Sequence, residues 1–87
     1  MQVRFSPDFD RQFIRRLTAR QQIKALDMLE LFQDEPLHKD LRNHSLKGEW
    51  LGQRSISISG DLRMHFQMLD NKTAYLVAIG THEQLYK

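Results

Sequence analysis

Cysteine is absent from the 87 residues, which removes both a disulfide framework and any thiolate metal site. A reducing compartment suits such a chain. Long apolar runs are absent too, and no stretch approaches the length that spans a bilayer. The opening Met1-Gln2-Val3-Arg4-Phe5 lacks the apolar core of a signal peptide. We therefore expect a cytoplasmic protein with no membrane partner. The glycines form no strand–elbow–helix pattern around Ser55, Ser57 or Ser59, so a serine nucleophile is not indicated. The four histidines, at 38, 44, 65 and 82, show no paired helical spacing of the metal-ligand kind, so neither a metal nor another cofactor is expected.

What is present fits one domain over residues 1–87, with a core large enough to fold alone. The formal charge is only +2, but it is unevenly spread. Arg11, Arg15, Arg16, Arg20 and Lys24 cluster early, and Asp27, Glu30, Asp34 and Glu35 follow. Lys39, Arg42, Lys47, Arg54 and Arg63 lie further on. Such clusters attract phosphate backbones or an acidic protein partner. They also suit a solvated helix face.

The periodicity changes along the chain. Gln2 to Phe5 alternates as a short strand. Ser6-Pro7-Asp8 reads as a helix start: a capping hydroxyl, proline at the first position, an acid in the first turn. Phe9, Phe13 and Leu17, joined by Ile14, place an apolar stripe on that helix. Thr18 caps a second helix through Ile23, Ala25, Leu26, Met28, Leu29, Leu31 and Phe32, ending before Pro36. Pro36 to Lys47 reads as a linking loop. Ser55 to Ser59 and Leu62 to Met68 then alternate with period two around Gly60-Asp61, which predicts an antiparallel hairpin. Thr73 to Gly80 is apolar on both faces and suits a covered strand.

The expected architecture is α+β, in the order β-α-α-β-β-β, with a helical hairpin on one face of an antiparallel-rich sheet. Alternation points Ile56, Ile58, Leu62, Met64, Phe66 and Met68 toward the helices. Ser55, Ser57, Ser59, Arg63, His65 and Gln67 point to the other face, expected to be open and polar. A phosphodiester would suit that face, as plain solvation would. His82 lies between a strand end and Tyr86, where an imidazole is either a turn residue or an acid–base group. Trp50 reads as packing at the sheet edge.

His44-x-Leu46-x-Gly48-x-Trp50-x-Gly52-x-Arg54, then Gly60-Asp61, then Gly80-Thr81-His82-x-x-Leu85-Tyr86, resembles the RelE/ParE toxin superfamily, and within it the YafQ-like branch. The resemblance implies the toxin of a bacterial type II toxin–antitoxin pair. Its activity would be ribosome-dependent endoribonucleolytic cleavage of mRNA, with contacts to ribosomal RNA. Its protein partner would be a cognate antitoxin. His44, Asp61, His82 and Tyr86 match positions with catalytic or substrate-positioning roles in that branch. Ser57 replaces a histidine of the branch, Ser55 an acidic residue, Ala78 an arginine and Leu62 a tryptophan.

The implied chemistry needs no metal, because RNA supplies its own 2′-hydroxyl nucleophile. A base removes that proton, an acid protonates the 5′-oxygen, and cations stabilise the phosphorane. On these matches His82 is assigned as the acid and His44 or Asp61 as the base, and with Ala78 in place of the branch's arginine, Arg63 or Arg54 would substitute as the phosphate clamp. Tyr86 would orient a base, with Lys47, Arg54 and His65 as further substrate contacts. Alternation sets Arg54 and Arg63 on opposite faces, which favours Arg63 as the clamp. The rival expectation is a ParE-like gyrase inhibitor, or a weakened relative that only binds antitoxin.

Overall fold

The computed structural model describes residues 1–86. Strand β1 (Gln2–Phe5) leads into α1 (Pro7–Arg16), where the Ser6 hydroxyl accepts from the Phe9 N–H at 2.9 Å. Helix α2 (Ala19–Asp34) opens with a reciprocal box: Gln21 N–H donates to the Thr18 hydroxyl, and Thr18 N–H donates to the Gln21 amide oxygen. Both starts satisfy backbone donors that a helix leaves free, as their sequences predict.

The stretch taken as a loop holds more. It contains a 3₁₀ turn at Lys39–Leu41 and a two-residue strand, β2 (His44–Ser45). A second 3₁₀ turn, Gly48–Trp50, precedes β3 (Arg54–Ser59), β4 (Leu62–Met68) and β5 (Thr73–Thr81). The chain then closes with a short helix, α3 (His82–Leu85), where a simple turn was expected. The sheet order is β1-β5-β4-β3-β2, antiparallel except for the parallel β1–β5 pair. The α+β architecture with its helical hairpin is therefore observed, enlarged by one edge strand and a terminal helix.

The main core fills the space between the helices and one sheet face. Phe9, Leu17, Ala25, Leu29 and Phe32 meet Ile56, Ile58, Met64, Phe66 and Leu76 there. The Phe32 and Phe66 rings lie 4.7 Å apart. The apolar stripe expected on the helices is narrower than the sequence implies. Ile14, Ile23 and Leu26 are 72%, 63% and 57% exposed, because the sheet covers only one side of each helix. Phe5 and Met68, at the sheet margins, are also partly exposed.

Strand β1 pairs with β5 only from Thr73 to Leu76. Beyond that, side chains on and just before α1 occupy the edge of β5. Ser6 Oγ donates to the Val77 carbonyl, Gln12 accepts from Ile79 N–H, and Arg16 donates to the Ile79 carbonyl. An unpaired strand edge invites pairing with other chains, and these bonds close it. They also carry Arg16 over Gly80, where a Cβ would lie 2.8 Å from its guanidinium and 2.9 Å from the Gln84 amide oxygen. Glycine at this position makes room for both.

Candidate functional site

On the sheet face away from α1 and α2, strand register sets the residues in rows. His44, Ser55, His65 and Ala78 are successive partners across β2, β3, β4 and β5. One row further on, Ser57 faces Arg63, which faces Gly80. The register shifts at Ser57/Ser59 in the β3–β4 pairing and at His65/Phe66 in the β4–β5 pairing do not move Arg54 across. Arg54 pairs with Phe66 on the helix side and donates to Asn43 at 2.8 Å. The two arginines thus lie on opposite faces, as alternation implies.

This face is not the open polar surface expected from alternation. Ser55 is 2% exposed and His65 is fully buried. The reason is a second layer that period-two reading does not reveal. The Gly48–Trp50 turn sets the Trp50 ring edge-on to His65 at 4.4 Å, while Tyr86, following α3, lies 5.7 Å away. Trp50 therefore packs over the sheet face and not merely at its edge. Leu46, Ala78 and Leu85 are also buried and lie outside the main core cluster. Both His65 ring nitrogens are buried with no hydrogen-bond partner among the described residues. Burial first, then the nearby His44 and His82 charges, lower its pKa to about 4. The notion of His65 as a surface contact for substrate is thus corrected: it is a neutral imidazole under aromatic cover.

The exposed chemistry surrounds that cover. On one side, His44 is exposed on β2, with Nδ1 2.8 Å from the Arg42 carbonyl. On the other, β5 delivers His82 to the first position of α3. A reciprocal box between Thr81 and Gln84 fixes that helix start. His82 N–H donates to the Asp61 carbonyl at 3.2 Å, which binds the β3–β4 turn to α3. Arg63 donates to the carbonyls of Gly60, at 2.6 Å, and Leu62, at 3.1 Å, so its guanidinium follows the same turn. Tyr86 stacks at a tilt on His82, with centroids 4.6 Å apart. It is 39% exposed, so it both covers His65 and presents an edge outward.

The structure thus gathers His82, Asp61, Arg63 and Tyr86 at one end of the face and sets His44 on the opposite side of buried His65. Lys47 is exposed and lines a cleft of about 520 Å³ with Ser45, Gln53 and Gln67; Arg54 reaches its rim. Among the described residues no three His, Asp or Glu side chains converge as metal ligands would. None of the described helices is long and apolar enough to cross a membrane. In the sequence Arg42 and Arg16 stand only as members of the basic clusters. Neither a left-handed backbone nor a contact from α1 to Gly80 leaves a local signal.

This fold is shared with solved bacterial toxins. A histidine-to-glutamine mutant of YafQ from Escherichia coli superposes with a TM-score of 0.72 at 20% identity, over 99% of this chain and 98% of that one. A YoeB/ParE toxin from Agrobacterium tumefaciens gives 0.75 at 18% identity, over 94% and 99%. The toxin–antitoxin complex DinJ–YafQ from E. coli gives 0.69 at 21%, over 99% and 98%. Comparison with curated protein sequences returns no significant match. The architecture is therefore the one these YafQ and YoeB/ParE structures share. The model of the family described as "Bacterial toxin of type II toxin-antitoxin system, YafQ" matches residues 1–87, and the chain belongs to that family.

Proposed function

We propose that this toxin is an endoribonuclease that cuts mRNA on the ribosome through attack of a ribose 2′-hydroxyl on the adjacent phosphorus. The observation that carries the reading is the placement of two exposed histidines, His44 and His82, on opposite sides of one sheet face. His44 takes the 2′-hydroxyl proton, and His82 protonates the departing 5′-oxygen. The products are a 2′,3′-cyclic phosphate and a free 5′-hydroxyl. Asp61 lies beside His82 through the backbone bond at 3.2 Å, which favours His44 over Asp61 as the base. Arg63 stabilises the phosphorane charge. Tyr86 stacks against an unpaired base through its exposed edge. Lys47 and Arg54 contact the strand beyond the scissile phosphate.

The second partner is an antitoxin. DinJ–YafQ and a YoeB–YefM complex from Staphylococcus aureus are toxin–antitoxin assemblies on this fold. Here Ile14, Ile23 and Leu26 are exposed beside Arg11, Arg15 and Lys24. An acidic segment that folds on binding would meet both the apolar and the basic groups. Ribosomal RNA and mRNA as targets place the work in the cytoplasm.

Induced expression without antitoxin, with mRNA ends mapped by primer extension, tests the reading. New cuts within translated codons, lost in His82→Ala, are expected. Growth arrest with intact messages and a DNA-damage response would support a gyrase-inhibiting toxin instead. Soluble protein that causes neither would leave only antitoxin binding.

A further inference from the structure

Arg42 is set apart by its backbone. Among the described residues it is the one non-glycine residue with positive φ, at 50°. Residues with a Cβ enter that region at a cost, because the Cβ crowds the following carbonyl oxygen. The conformation ends the Lys39–Leu41 turn, where Arg42 N–H donates to the Lys39 carbonyl at 3.2 Å, and sends the chain into β2. It also sets the Arg42 carbonyl 2.8 Å from His44 Nδ1. A carbonyl oxygen can only accept, so Nδ1 carries the proton and Nε2 of the neutral ring keeps its lone pair. That is the form a general base requires.

Glycine would hold this backbone more easily, so an arginine here points to use of the side chain. Arg42 is exposed and lines a cleft of about 350 Å³ with Asp40, Ser57, Ser59 and Gly60. The cleft follows the part of β3 that β2 leaves unpaired, since β2 reaches only Arg54 and Ser55. Ser57 also faces Arg63 in register, so the cleft adjoins the row that holds the proposed clamp. Asp40 N–H donates to His38 Nδ1 at 3.1 Å, which caps the start of the Lys39–Leu41 turn.

We propose that Arg42 acts twice in the reaction assigned above. Its carbonyl makes it the positioning residue that keeps His44 protonated at Nδ1. Its guanidinium, with the Ser57 and Ser59 hydroxyls, receives an RNA phosphate next to the scissile one. The second role rests on the nuclease reading. The first is a property of the free protein.

Two variants separate the roles. Arg42→Gly keeps the left-handed backbone and removes the guanidinium, whereas Arg42→Ile removes the guanidinium and disfavours the backbone. Imidazole ¹⁵N NMR of the free protein is expected to show His44 protonated at Nδ1 in wild type and Arg42→Gly, and mixed tautomers in Arg42→Ile. Binding of a short single-stranded RNA is expected to lose about 0.7 from its log–log salt slope in Arg42→Gly, and to regain it in Arg42→Lys. Cleavage should fall about tenfold further in Arg42→Ile than in Arg42→Gly. A wild-type His44 protonated at Nε2, which needs no variant to observe, would overturn the positioning role. So would a well-folded Arg42→Ile with an unchanged tautomer. An unchanged salt slope in Arg42→Gly would overturn the phosphate contact. If no form cleaves RNA while the tautomers behave as expected, the nuclease reading fails and the positioning role stands.

Discussion

The two faces of the sheet are built by different rules. The helix-covered face is filled by Phe32, Met64, Phe66, Ile56 and Leu76, all apolar and essentially inaccessible. The other face is covered only by a three-residue turn and a four-residue helix, and its cover encloses Ser55 and His65. It leaves Trp50 Nε1 and both His65 nitrogens without partners among the described residues. A buried polar group left unpaired costs about 1–3 kcal/mol. The first face therefore supplies stability, and the second spends some of it to hold an imidazole and two aromatic rings beneath the exposed histidines.

Four substitutions or conditions bear on that contrast. Phe32→Ala empties the helix-side core and should cost about 3–5 kcal/mol, read from urea unfolding. A smaller loss than that of any single change on the second face would break the contrast. Next comes pH. The folded-state pKa of His65, about 4, lies below the ordinary 6.5, so the unfolded chain binds the extra proton first. Above pH 6.5 the ring is neutral in both states and adds no pH dependence, and stability falls as pH drops from 6.5 toward 4. The total from this group is about 3 kcal/mol. His65→Leu should flatten that part of the stability–pH curve, and an unchanged curve would show that His65 is not the group responsible.

Gly80→Ala is expected to cost about 1–3 kcal/mol, because the new methyl meets Arg16 and Gln84 and displaces the guanidinium from the Ile79 carbonyl. Thermal unfolding measures it. Ile23→Ser, on the exposed helix surface, should change stability by less than about 0.5 kcal/mol. On the proposed antitoxin surface, its expected effect is a weaker Kd for the cognate partner, read by calorimetry.

Much of this arrangement was legible in the chain. Period-two alternation identified Ile56, Ile58, Leu62, Met64 and Phe66 as core, and Ser6 and Thr18 marked both helix starts, because these signals are local. His44, Asp61 and His82 stand out only through short motifs that resemble a known family, and their roles belong to the proposed function. The second layer was not legible. Alternation assigns His65 to a face but cannot say what covers it. A 3₁₀ turn at Gly48–Trp50 and a helix at His82–Leu85 are too short to show a period. Ile14, Ile23 and Leu26 misled in the opposite sense, since helical spacing cannot reveal how little of each helix one sheet will cover. Arg42 and Arg16 depend on a backbone reversal and a contact across the fold, neither of which is written in neighbouring residues.

Under the proposed function, the second face carries the chemistry while the first carries the fold. Purified His82→Gln, assayed on ribosomes programmed with mRNA and unfolded in urea alongside wild type, tests it most directly. Cleavage is expected to fall by about 10²–10⁴-fold, with the unfolding midpoint essentially unmoved, since His82 is exposed. Cleavage at the wild-type rate, or a loss that only follows a collapse in stability, would contradict it.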